Sequence, residues 1–303
     1  MLRTMLLTLS RQNWLRDWMQ NSPSAARFTS RFVAGRTLGQ ALAVCQKLRK
    51  EGILATLDHL GENVTSIEEA GTSRDAYLKA LDGIADNEIG STVSVKLTQM
   101  GLDISEHHAR ENVRQLAARA RELGTRIEID MESSAYVDRT LAIVRMVHAG
   151  TANARAVIQA YLRRSEADIE QLCKDGIPVR LCKGAYSEPA AVAFQNKDEV
   201  DANYLRLMRK LMTDGVYPAI ASHDERMVRE AIREARERGL KAKDFEIQML
   251  YGIRRDLQKE LVMDGYRLRL YVPYGDAWYP YFMRRLAEKP ANVWFLVRNL
   301  MKA

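Results

Sequence analysis

LRLYVPYGDAWYPYFMRRLAE, residues 268–288, changes its hydrophobic period halfway along. Leu268, Leu270 and Val272 alternate with Arg269 and Tyr271, which is the pattern of a strand. The second half has the spacing of an amphipathic helix, with Gly275 and Asp276 supplying a turn and a helix N-cap between the two. At 3.6 residues per turn, Tyr281, Arg284, Arg285 and Glu288 share one face, so an aromatic ring, two guanidiniums and a carboxylate stand together. Two readings fit such a face: a solvated helix end, or a planar, bidentate receptor for a carboxylate or phosphate.

The same strand-then-helix unit recurs along the chain. Short apolar or β-branched runs occur at ILATLD (53–58), TVSVKL (92–97), RIEIDM (126–131), ARAVIQA (154–160), PVRLCK (178–183), YPAIAS (217–222), FEIQML (245–250) and LRLYVP (268–273). Helical segments such as SEHHARENVRQLAARARELG (105–124) and EVDANYLRLMRKLMTDG (199–215) lie between them, several ending in glycine as a C-cap would. Eight such units in roughly 250 residues predict a (βα)8 barrel; a doubly wound sheet usually has fewer strands and often a glycine-rich loop after the first, which this chain lacks. Residues 37–50 read as a further helix ending at Gly52. The expected division is an amino-terminal helical segment, 1–52, packed on the barrel or on a partner subunit, and a catalytic barrel, 53–303.

The 303 residues are 47% hydrophobic and carry a net charge of +7, so a large core is available and anionic partners are favoured. The charge is largely intermixed, as in DERMVREAIREARERGLKAK (224–243), which reads as a solvated helix flank. Aromatic residues, at 7%, are not interleaved with a basic stripe, so nucleic acid is not an expected partner. Cys45, Cys173 and Cys182 form no CxxC pair, which argues against disulfides or a cysteine zinc site and for a reducing, cytoplasmic setting. No apolar run approaches the length that crosses a bilayer. The opening MLRTMLLTLSRQNWLR holds three arginines and no acid, a pattern suited to peripheral contact with the inner face of a membrane or to packing on the barrel or a neighbouring subunit.

A barrel places its chemistry at the carboxyl ends of its strands. Those ends supply Asp58 and Glu62, Lys96, Asp130 and Glu132, Gln159, Arg180 and Lys183, His223, Gln248 and Tyr271. Histidines are too few there for a metal-dependent hydrolase, so no metal is expected, and there is no GxSxG elbow. The cations Lys96, Arg180, Lys183, Arg284 and Arg285 point to an anionic ligand. A lyase using Lys96 or Lys183 as a Schiff-base amine fits the same residues.

RLCKGAYSEP (180–189), LDHLGE (57–62), SVKLTQMG (94–101), IDMESS (129–134), VIQAYLRR (157–164), ASHDE (221–225), FEIQMLYG (245–252) and YFMRRLAE (281–288) together resemble the proline dehydrogenase family, in the expected order over nearly all the chain from Ile53 onward. The resemblance implies a distorted (βα)8 TIM barrel with its final helix over the mouth, and FAD-dependent oxidation of L-proline to Δ1-pyrroline-5-carboxylate. It implies that Arg284 and Arg285 grip the proline carboxylate with Lys96 assisting, and that Asp130, Leu181, Tyr186 and Tyr271 line the pocket. Glu62 matches a gate carboxylate paired with Arg284. Gln159, Arg180, Lys183, Gly184, Ala185, His223, Gln248 and Glu288 match positions that contact a non-covalent FAD. It further implies a monofunctional bacterial form, electron transfer to a membrane quinone, and a separate pyrroline-5-carboxylate dehydrogenase to take the product; a homo-oligomer is also compatible. Cys182 stands where a small apolar residue would do and reads as a buried hydrophobe, not a nucleophile.

Overall fold

In the computed structural model, which describes residues 29–61 and 64–287, eight parallel strands close into a barrel in sequence order. They are β1 (Leu54–His59), β2 (Thr92–Val95), β3 (Ile127–Ile129), β4 (Ala154–Gln159), β5 (Val179–Cys182), β6 (Ala219–Ala221), β7 (Glu246–Leu250) and β8 (Leu268–Tyr274). The described helices are α1 (Leu38–Lys50), α2 (Ile67–Asp86), α3 (Glu106–Glu122), α4 (Val137–Thr151), α5 (Ser165–Lys174), α6 (Lys197–Asp214), α7 (Glu225–Glu237), α8 (Arg255–Met263) and α9 (Trp278–Ala287). All eight strands fall on the predicted runs. β1 and β8 close the barrel through a register that runs from Leu54 opposite Arg269 to His59 opposite Tyr274.

Because side chains alternate across a strand, each run serves two environments. Leu57, Val93, Ile129, Leu181, Ile247 and Val272 are fully buried in the apolar core. Helix α1 joins this layer. Thr37 and Gln40 form a reciprocal capping box at its start, and Ala41, Cys45 and Leu48 bury its inner face against β1 and β8. It therefore stands in the wall position that the eighth helix takes in a regular barrel, and α9 need not fill it.

The chain before α1 anchors α9. Ala34 N–H donates to Pro273 O at 2.9 Å, Gly275 N–H donates to Gly35 O at 3.0 Å, and Phe32 meets the buried Phe282 edge-on at 6.0 Å. Gly252, at φ +81°, lets this segment pass, since a Cβ there would lie 1.6 Å from Arg31 O. Asp276 does not cap α9 as expected. The helix starts two residues later, at Trp278, and Asp276 instead accepts from Arg36 Nε at 2.7 Å.

The inner face differs from the outer one. Glu128, Arg155 and Glu246 are fully buried and Arg269 nearly so. Arg155 Nη1 lies 2.5 Å from Glu246 Oε1 and 3.3 Å from Glu128 Oε1, while Arg269 Nε reaches Glu246 Oε1 at 3.0 Å. Tyr217 adds a hydroxyl bond to Glu246 Oε2 at 2.9 Å and a ring face under Arg155. Burial pushes the Glu246 carboxyl up, but Arg269 and Arg155 outweigh it and hold the group well below the usual carboxylate range. A carboxyl whose pKa is depressed by folding stabilises the fold above its unfolded value, about pH 4.3, and loses that contribution as pH falls. We expect Arg155→Met, which leaves buried carboxylates without their partner, to cost about 3 to 5 kcal/mol in urea denaturation at neutral pH. A loss under about 1 kcal/mol would mean that the floor of the barrel relaxes or admits water.

Candidate active site

Above that floor, at the carboxyl ends of the strands, one carboxylate gathers four donors. Asp130 follows β3 directly, and its N–H donates to Val95 O at 2.9 Å, so the ladder carries its side chain inward. Ser94 Oγ donates to it at 2.7 Å, Tyr271 Oη donates at 2.8 Å, Lys96 Nζ stands 3.5 Å away, and Arg180 Nη2 forms a close ion pair. Lys96 also donates to Asp58 Oδ1 at 3.3 Å and to Tyr271 Oη at 3.4 Å. The Arg180 guanidinium lies over the Tyr271 ring at 5.4 Å and pairs with Glu128 at 3.1 Å, which links this cluster to the floor.

The electrostatics fix the protonation states. Burial raises the Asp130 carboxyl, but Arg180, Lys96 and the Ser94 and Tyr271 hydrogen bonds outweigh that and hold it below its ordinary value. Asp130 is thus a fixed anion, weakly basic. Burial and the neighbouring Asp130 push the Tyr271 phenol well above its usual range, so it remains a donor. Burial raises the Cys182 thiol to about 11, and its Sγ donates to Ile158 O at 3.5 Å; a protonated, engaged thiol suits a packing role.

A second cluster lies at the ends of β5 and β6. Lys183 Nζ bridges Asp201 Oδ1 at 2.5 Å and Asp224 Oδ2 at 3.2 Å, and Asp201 also accepts from Lys197 at 2.6 Å and Arg226 at 2.9 Å. Lys197 and Asp201 lie in the first turns of α6 and Asp224 and Arg226 at the start of α7, and the N-termini of these helices add partial positive charge. The cation set suits a phosphate-bearing ligand. A Schiff-base amine needs an apolar or cationic setting, and carboxylates engage both Lys96 and Lys183. His223 Nε2 accepts from Leu250 N–H at 2.8 Å, which puts the neutral ring's proton on Nδ1. Gly184, at φ +110°, lies so close to Tyr161 that a Cβ would come within 2.2 Å of the ring.

The barrel brings Lys96, Asp130, Arg180 and Tyr271 together and sets Gln159 and Gln248 beside them. Gln159 Nε2 donates to Glu132 O at 2.8 Å, and Gln248 Nε2 to Glu246 Oε1 at 2.7 Å. Ala185 and Tyr186 stand on the exposed loop after β5, with Tyr186 42% exposed. Leu181 corrects an expectation. Its neighbour Arg180 points into the barrel, so alternation turns Leu181 to the helix side, where it is fully buried in the apolar core. On α9, the Arg285 guanidinium stacks on the Tyr281 ring at 5.3 Å. Glu62, Glu288 and the Arg284 side chain, and with them the gate pair, lie outside the described residues, as does the opening segment 1–28. Among the described residues no helix is long and apolar enough to cross a membrane. Sequence reading passed over Ser94, Glu128, Asp201, Asp224 and Glu188; the signal for Glu128 was a charged residue at an alternating position in an otherwise β-branched run.

A family model described as proline dehydrogenase matches residues 41–298. The chain is 40% identical over 272 residues to proline dehydrogenase 1 of Bacillus subtilis (strain 168), spanning 90% of each protein. It is 40% identical over 277 residues to the proline dehydrogenase of Deinococcus radiodurans, spanning 90% of this chain and 89% of that one. Among solved structures, proline utilization A (PutA) from Bdellovibrio bacteriovorus, inactivated by N-propargylglycine, is similar with a TM-score of 0.81 at 28% identity, over 86% of this chain and 32% of that longer one. By sequence over most of its length and by its barrel, the chain belongs to the proline dehydrogenase family.

Proposed function

We propose that this barrel oxidises L-proline to Δ1-pyrroline-5-carboxylate with a non-covalently held FAD, and that the electrons pass on to a membrane quinone. The observation that carries the reading is the fixed Asp130 anion, held among Ser94, Lys96, Arg180 and Tyr271 at the barrel mouth in a chain of this family. A secondary ammonium is a complementary ligand for such an anion, and a carboxylate is complementary to the arginines of α9.

The donor set fits a flavin dinucleotide. Lys183, Lys197 and Arg226 sit with the N-termini of α6 and α7, where a pyrophosphate would find cations and helix dipoles. Arg180, Gln159 and Gln248 offer side-chain donors for the polar edge of a flavin ring. The chemistry the flavin supplies when bound is acceptance of two electrons, as a hydride, from the carbon beside the amine nitrogen.

The protein's own contribution is orientation and charge. Arg285, stacked on Tyr281, and Arg284 take the proline carboxylate at one end. Asp130 and the Tyr271 hydroxyl face the ring end, and the buried ion pairs beneath them hold both groups in position before substrate enters. Oxidation to this product removes a hydride from the ring CH2 beside the nitrogen, the carbon remote from the carboxylate, with the flavin as two-electron acceptor, and releases the amine protons to solvent, leaving the C=N bond at that carbon and the α C–H intact. Asp130, already accepting from Ser94, Arg180 and Tyr271 and paired with Lys96, stabilises the ammonium on arrival and is not the proton's destination.

Two outcomes test this. Arg285→Met should raise the proline KM by an amount equivalent to about 1.5 to 3 kcal/mol while flavin absorbance of the purified protein is retained. Equal loss of flavin and substrate would mean that Arg285 is structural. Asp130→Asn should weaken proline binding yet leave the shape of the rate-against-pH profile unchanged from about pH 5 upward, because the wild-type group is already ionised there. A limb of the profile that vanishes in Asp130→Asn would make Asp130 the base. A colourless protein that neither takes up FAD nor oxidises proline would sink the reading.

A further inference from the structure

The loop between β5 and α6, residues 183–196, carries Lys183, Gly184 and Tyr186 across the mouth of the barrel. Its far part is tied to the β4 side. Leu162 and Ala193 form an antiparallel bridge, Arg163 N–H donates to Val192 O at 2.9 Å, and Phe194 N–H donates to Tyr161 O at 2.8 Å. Its near part carries the half-exposed Tyr186. One contact reaches past β4 to the next loop but one. Both carboxylate oxygens of Glu188 are used: Oε1 accepts from Ser134 N–H at 2.7 Å and Oε2 from Ser134 Oγ at 2.5 Å.

Ser134 opens the short helix 134–136 that leads into α4, so its N–H is one of those a helix start leaves without an internal partner. Neither Ser133 nor Tyr136 caps these starts with its side chain, and the carboxylate arrives from another loop to do so. Ser134 is also four residues after Asp130, on the segment whose Glu132 accepts from Thr98 N–H at 3.0 Å and Thr98 Oγ1 at 2.6 Å. The loops after β2, β3 and β5 are thereby stitched together on the side of the mouth where Asp130 stands.

We propose that Glu188 is a positioning residue for substrate: its two-pronged bond to Ser134 clamps the β5 loop two residues beyond Tyr186 and so fixes the distance between Tyr186 and the Asp130 cluster. The inference rests on the reading of Tyr186 as a wall of the proline cavity. Without the clamp the loop keeps its anchors at Lys183 and at Val192 to Phe194, and the bonds from Arg163 Nε to Ala190 O at 3.0 Å and from Gln195 Nε2 to Glu188 O at 3.1 Å, but it loses this tie to the loop after β3. The cavity is then wider on average, and substrate binding bears the cost while the reacting groups on the strands remain in place.

The test uses the FAD-loaded full chain as Glu188→Ala, Glu188→Gln, Ser134→Ala and the Glu188→Ala/Ser134→Ala pair. Amide hydrogen exchange over residues 185–191 should speed up several-fold in Glu188→Ala, with the proline KM raised about tenfold and kcat within about twofold. Glu188→Gln, which keeps an acceptor but loses the charge, should lie between wild type and Glu188→Ala, and the pair should be no worse than Glu188→Ala alone, as two ends of one contact require. Unchanged exchange, or faster exchange with an unmoved KM, overturns the proposal while leaving proline oxidation intact. A wild-type chain inert toward proline would instead remove the reading of the site, and this role for Glu188 with it.

Discussion

The interior of this barrel depends on electrical neutrality. Asp58, Glu128, Asp130 and Glu246 face inward from three strands, β1, β3 with its end, and β7, and Lys96, Arg155, Arg180 and Arg269 face these four carboxylates as four cations. Separate burial of any one of these would cost several kcal/mol. Together they run from the floor, where Arg155 joins Glu246 and Glu128, through Arg180, to Asp130 and Lys96 at the mouth. An apolar filling of the same volume would serve stability as well or better. What the charges add is geometry: each guanidinium fork admits few arrangements of its carboxylates, so the groups at the mouth inherit a position from below.

That inheritance accounts for the division of labour at the site. Asp130 is held ionised by neighbours on β2, β5 and β8, and no single loop movement can release it. Lys183, by contrast, is held by carboxylates at the starts of α6 and α7 near the surface, where a phosphate can enter the same network of cations. The rigid cluster suits a small zwitterion whose ring carbon must be presented accurately. The open cluster suits the polyanionic end of a larger ligand.

Much of the barrel was legible in the sequence because period and punctuation agree: each short β-branched run is followed by a helical period and commonly a glycine that adopts positive φ, as at Gly52, Gly124, Gly176, Gly239 and Gly265. The strand ends likewise exposed Lys96, Asp130, Arg180 and Tyr271. Leu181 is adjacent to Arg180 in its motif, but alternation along β5 sends the two to opposite faces, which adjacency in sequence does not reveal. Asp276 looked like a helix cap by residue type, but its partner Arg36 lies 240 positions away. Asp224 and Glu188 are not assignable from local pattern for the same reason, since their partners Lys183 and Ser134 come from other units of the barrel, whereas Asp201 does carry a local signal in its i,i+4 pairing with Lys197. α1 was set apart as an amino-terminal segment, although its buried face belongs to the wall between β8 and β1.

Gly252 ties these distant parts of the chain to one another. Residues 29–34 run across it so closely that the oxygen of Arg31 occupies the space a methyl group would need. The same segment supports Phe282, and with it the helix that carries Arg285. The orientation of the arginine helix is therefore registered against a hydrogen atom on the far side of the segment, in the turn after β7. Any side chain there would act as a spacer, moving a binding residue that it never touches.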